Sequence, residues 1–127
     1  MILKEKIFKP QTDPLLKAGD EAEKQMAFYL RREFGKADEI FVINDLRIVH
    51  DGEAAQMDHL LVTRYGLFIV ESKSIHGTVA FNQHGDWIRS SKNEKRGVPS
   101  PIKQAEAQGK IMAVFANHVV KPLHRAP

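Results

Sequence analysis

The chain has 127 residues, too few for two ordinary domains, and its 43% hydrophobic content is enough for one core. Nineteen Lys and Arg against sixteen Asp and Glu leave a net charge of +3, which permits nucleic-acid binding without requiring it. Without cysteine there are no disulfides, thiolate metal sites or Cys nucleophiles, and with no signal-like start and no apolar stretch long enough for a bilayer, a cytoplasmic, membrane-free protein is expected.

Pro10, Pro14 and Gly19 punctuate residues 1–19, which read as an N-terminal arm; the domain is expected over 20–121, with a tail at 122–127. Ala22, Met26, Tyr29, Leu30 and Phe34 follow helical spacing and end at Gly35, with Asp20 as the expected N-cap. Ile40 to Ile43 and Leu46 to Val49 are short β-favouring runs, and Asp51-Gly52 marks a turn after them. Met57 to Thr63 and Leu67 to Lys73 flank Tyr65-Gly66 and predict an antiparallel hairpin. Alternation puts Asp58, Leu60 and Val62 on one face of its first strand and Met57, Leu61 and Thr63 on the other. With both faces apolar, these read as central strands covered on two sides. Thr78 to Phe81 and Trp87 to Ser90 predict a second hairpin, followed by a basic loop from Ser91 to Gly97. Ser100 as N-cap and Pro101 at the first helical position open a long second helix, with a stripe of Ile102, Ala105, Gly109, Met112, Ala116 and Val119. The order of elements is that of an α/β protein.

Asp58, Glu71 and Lys73 are ionisable residues on strands that otherwise read as core. Glu71 and Lys73 share one side of their strand, and a two-residue Tyr65-Gly66 turn would set Asp58 opposite Lys73 and diagonal to Glu71. Two carboxylates ~5 Å apart repel by about 3 kcal/mol at an effective dielectric near 20, which one lysine offsets only in part. Hard oxygen ligands of this kind suit Mg²⁺ or Mn²⁺, and the lysine suits a phosphate. A structural ion pair between Lys73 and either acid is the plain alternative, and the residues alone leave both open.

The spacing Asp58, Glu71, Lys73 resembles the D…(D/E)-x-K signature of the restriction-endonuclease-like PD-(D/E)XK nucleases. Its setting resembles the nuclease-related domain (NERD) family in QMDHLLV at 56–62, YGLFIVESKS at 65–74, Gly77, Trp87 and SPIKQ at 100–104. The resemblance implies a restriction-endonuclease-like core with a mixed central sheet flanked by helices. It implies Mg²⁺-dependent phosphodiester hydrolysis, with DNA as the expected substrate. Asp58 and Glu71 would be metal ligands, the Ser72 carbonyl a third, and Lys73 the catalytic lysine. It adds Glu23 and Gln104 to the catalytic set. Glu23 reads equally as part of a capping box with Asp20, and Gln104 as a helix flank beside Gln108. The family core also implies one more strand after the second helix, for which 122–127 leave no room, so a longer parent chain is expected.

Arg89, Lys92, Lys95 and Arg96 form the clearest basic cluster, either a phosphate-holding surface or a solvated loop. Trp87 reads as a stacking platform or as core. The six histidines show no metal-ligand spacing, and His59, next to Asp58, is expected to point away from the site. A noncatalytic nucleic-acid-binding or interaction module that keeps the nuclease fold is the alternative to an enzyme.

Overall fold

The computed structural model describes residues 1–74, 78–91 and 94–119. Its first helix, α1 (Pro14–Phe34), starts earlier than the periodicity suggests. Asp13, in extended conformation, is the cap, and its Oδ1 accepts the N–H groups of Leu15 (2.8 Å) and Leu16 (3.4 Å). Pro14 fits because the first helical position needs no N–H partner, and Gly19 is absorbed inside the helix. Asp20 is therefore a helix-interior residue, which corrects the expected cap. Residues 1–19 are likewise not a plain arm. Ile2–Lys4 form β1, parallel to β2 (Ile40–His50), and α1 is the crossover between them.

β2, β3 (Glu53–Thr63) and β4 (Gly66–Val70) continue antiparallel, giving a mixed sheet in the order β1-β2-β3-β4. The β2–β3 turn is the two-residue Asp51-Gly52, both at positive φ (51° and 78°), whose twist matches that of the strands. The two runs expected at 40–43 and 46–49 are one strand bent at Asp45, which takes a left-handed φ of 54°. The bend reverses the pleat. Val42 and Leu61, paired before it, pack with Leu30 of α1. Leu46 and Met57, paired after it, lie in the opposite cluster with Ile48 and Leu60. Met57 thus joins Leu60 on one side, whereas simple alternation separates them; a left-handed residue in mid-strand adds half a pleat that a period of two cannot register.

Helix α2 (Pro101–Val119) covers that second face through Ile111, Met112 and Phe115, so each face of the sheet carries one helix, as expected of central strands. Ser100 caps it, its Oγ accepting the N–H of Lys103 at 3.2 Å. Gly109 faces β4, where a Cβ would stand 3.7 Å from the Ile69 side chain, an ordinary contact, so the approach does not require glycine there. The second hairpin, β5 (Thr78–Phe81) with β6 (Trp87–Ser91), forms as expected, but the basic loop does not. Glu94–Val98 is a third strand, β7, in a separate sheet of order β5-β6-β7. It opens with three consecutive charged residues, Glu94, Lys95 and Arg96, and is exposed but for Val98, so its pairing comes from the neighbouring strand rather than from burial. Among the described residues no helix is long and apolar enough to cross a membrane.

The turn supplies a stability test. Nothing lies within 4 Å of a Cβ built on Gly52, so Gly52→Ala should cost only the left-handed backbone strain, about 1 kcal/mol, read as a lower urea midpoint.

Candidate functional site

The β3–β4 hairpin turns at Arg64-Tyr65, because Thr63 pairs with Gly66 and the ladder runs to His59 opposite Val70. Thr63 Oγ1 fastens the turn, accepting the Tyr65 N–H (3.1 Å) and donating to the Gly66 carbonyl (3.0 Å). This register lies two residues from the expected one. One step past the ladder, Asp58 stands across from Glu71 rather than Lys73. A shift of two preserves the face, which is why the acids still meet although their partners have changed.

Glu71 Oε1 accepts the Asp58 backbone N–H at 3.5 Å, and Asp58 Oδ2 accepts the Ser72 backbone N–H at 3.0 Å. Burial, then the Asp58 charge and a carboxyl–carboxyl hydrogen bond with Asp58, push Glu71 up to about 7. Gln108 opposes this by donating its amide to Glu71, and it also donates to the Gln56 carbonyl. The helix glutamine that meets Glu71 is thus Gln108, one turn beyond Gln104. Gln108 Oε1 is buried with no hydrogen-bond partner among the described residues.

With Asp13 as the cap, Glu23 has no capping role and faces the sheet. Lys6, in the segment between β1 and α1, donates its ammonium to Glu23 Oε2 at 2.6 Å. Burial holds the Glu23 carboxyl above its ordinary range despite Lys6, and the Asp58 charge adds to the rise. Lys6 itself is raised: burial alone would lower it, but the hydrogen bond and charge of Glu23 outweigh burial. The lysine bonded to the acid cluster is therefore Lys6. Its sequence context of alternating lysines and apolar residues carries no signal for this contact, which spans 17 positions.

Lys73 is exposed and borders a hollow of about 540 Å³ between α1 and the start of α2, with Glu71, Ser72, Tyr29, Trp87 and Pro101. That size suits a small ligand or part of a larger one. On the other side of the strand His59 is buried, as its position next to Asp58 predicts, with Nδ1 2.7 Å from Asn44 Oδ1 and Nε2 2.8 Å from Ser72 Oγ. Burial keeps its imidazole below the ordinary histidine range.

Of the basic cluster, Arg89 on β6 pairs directly with Arg96 on β7, placing both on the face of the second sheet that carries Trp87. Lys95 pairs with Ser90 and takes the other face, and Lys92 lies outside the described residues. Arg96 stands 4.0 Å from Glu94.

Asp58 and Glu71 are hard donors, and the proton their closeness favours on Glu71 occupies a place that a cation can take, so the pair fits a divalent metal. Among the described residues no cluster of three His, Asp or Glu with metal-holding geometry occurs, so waters or the Ser72 carbonyl would have to complete the shell.

The model of the nuclease-related domain (NERD) family matches residues 18–125. No curated protein and no solved structure is a significant match.

The raised carboxyl fixes the sign of a pH dependence. A group that binds its proton more tightly folded than unfolded contributes stability below the unfolded value, and loses it as pH rises through the folded one. Relative to the parent, Glu71→Gln should gain stability as pH rises from about 4.5 to beyond about 7, measured as the difference in urea midpoints. A difference that stays flat across this window would contradict the assignment.

Proposed function

The chain belongs to the nuclease-related domain family, and on that footing we propose that it is a metal-dependent nuclease that hydrolyses phosphodiester bonds, with DNA as its substrate. The observation that carries this reading is the meeting of Asp58 and Glu71 beside a hollow bordered by the exposed Lys73. Two acids held this close favour a proton or a cation between them, and a lysine at the hollow's edge suits a phosphate.

Asp58 and Glu71 would hold Mg²⁺, or Mn²⁺ in its place, with the Ser72 carbonyl as the third protein oxygen. Such an ion would supply Lewis-acid polarisation of a phosphate oxygen and a more nucleophilic water. The Lys73 ammonium steadies the charge that grows on the phosphate oxygens as water attacks phosphorus and the ester oxygen leaves. Glu23, bonded to Lys6 and within the field of Asp58, adds a third carboxyl beside the acid pair. Gln108 steadies Glu71 from α2, and Gln104 flanks it one turn earlier. Arg89 and Arg96, on one face of the second sheet, attract the phosphate backbone without reading sequence, and Lys95 on the other face adds to the positive field.

A noncatalytic nucleic-acid-binding module is the second reading. Its support is that Asp58 and Glu23 already have protein partners, the Ser72 N–H and Lys6.

Two experiments separate the readings. With Mg²⁺ present, Asp58→Ala and Lys73→Ala should each reduce DNA cleavage by ~10²-fold or more while leaving DNA binding in a gel-shift assay intact. Cleavage by the variants equal to the parent's would reject the assignment. Because Glu71 must be ionised to hold a cation, Mg²⁺ affinity measured by calorimetry should rise with pH through about 7, and this rise should vanish in Glu71→Gln.

A further inference from the structure

The ladder between β3 and β4 ends at His59 opposite Val70, so Glu71, Ser72 and Lys73 lie beyond the strand pairing that fixes the rest of the hairpin. Ser72 makes two contacts there. Its backbone N–H reaches Asp58 Oδ2 at 3.0 Å, and its hydroxyl lies 2.8 Å from His59 Nε2. His59 is 1% exposed and in turn lies 2.7 Å from the side-chain oxygen of Asn44, also 1% exposed.

The proton assignments in this chain follow from chemistry. With the Asn44 amide oxygen turned to the ring, His59 Nδ1 carries the hydrogen and donates to it, because an amide oxygen only accepts. Nε2 is then an acceptor, and the Ser72 hydroxyl donates to it. Both ring nitrogens are used, and the imidazole cannot turn without stranding a buried polar atom. The arrangement is kept at a cost, because Asn44 Nδ2 is buried with no hydrogen-bond partner among the described residues. An apolar pair would fill this part of the core without that cost.

We infer that His59, braced by Asn44, is a positioning residue: through the Ser72 hydroxyl it replaces the missing ladder bonds and holds the backbone that carries Glu71 and Lys73. The consequence for catalysis rests on the nuclease reading above, but the clamp itself does not. Serine suits the task because its short side chain reaches the buried imidazole while its N–H grips Asp58 and its two neighbours carry the charged groups.

The test is amide hydrogen exchange by NMR on the full chain, with Ser72→Ala, Ser72→Thr and His59→Gln. In Ser72→Ala the amides at positions 72 and 73 should exchange roughly tenfold faster, the loss expected for one hydrogen bond, while those of Leu60 and Leu61 stay at parental rates. Ser72→Thr keeps the hydroxyl and should restore slow exchange. If His59→Gln does not fold, the two Ser72 variants decide the matter. Unchanged exchange at 72 and 73 in Ser72→Ala overturns the inference, whatever the protein cleaves. In a Mg²⁺ cleavage assay Ser72→Ala should lower kcat about tenfold at unchanged KM, with recovery in Ser72→Thr. A loosened segment with parental kcat would deny His59 its positioning role. A loosened segment in a protein whose parent cleaves nothing would sustain the clamp and sink the nuclease reading instead.

Discussion

Two carboxylates that would rather be apart are brought together by a hairpin register. Asp58 and Glu71 meet because the β3–β4 turn places Thr63 against Gly66, and everything built around them answers the resulting repulsion. Glu71 keeps its proton up to about 7, Asp58 takes the Ser72 N–H, Gln108 reaches over from α2, and Lys6 binds Glu23 nearby. Protonation and cation binding are alternative answers to one electrostatic problem, so acidity and metal affinity at this site are linked.

The acid pair meets where β4 has left the ladder, opposite the middle of β3. The left-handed Asp45 bends β2 and reverses the pleat, so the strands feed apolar residues to α1 on one stretch and to α2 on both. Asp58 lies across from this bend, between two regular stretches that are anchored by opposite clusters. Strain is tolerated there because the ladder on both sides over-determines the backbone. Lys4 reinforces the bend by donating to the Asn44 carbonyl at 3.2 Å and to that of Asp45, so the first residues of the chain hold the kink as well as the sheet edge.

The second sheet differs in kind. Its strands bury little, and its contribution is presentation: Trp87 closes the hollow beside Lys73, while Arg89 and Arg96 stand side by side on the same face. Like charges directly opposite one another weaken a strand pair unless an anion lies between them, and an arginine pair of this kind suits a phosphate.

Much of this was legible in the residues. Helical spacing marks both helices, Ser100-Pro101 marks the start of the second to the residue, and motifs such as QMDHLLV and YGLFIVESKS carry the resemblance to the nuclease-related domain family. The residues place Asp58 and Glu71 on one face, and they meet although the turn lies one residue earlier than expected, because parity survives a shift of two. What local sequence could not encode were contacts between distant segments and a dihedral that breaks periodicity. Lys6 reaches Glu23 only once β1 has paired with β2, Gln108 rather than Gln104 meets Glu71 only once α2 has settled on the sheet, and Met57 changes side only because Asp45 turns left-handed. Pattern along a chain determines which residues are buried and which chemistry is available; the close approach of charges 13 or 17 positions apart depends on how the packed elements are seated, and that is decided in three dimensions.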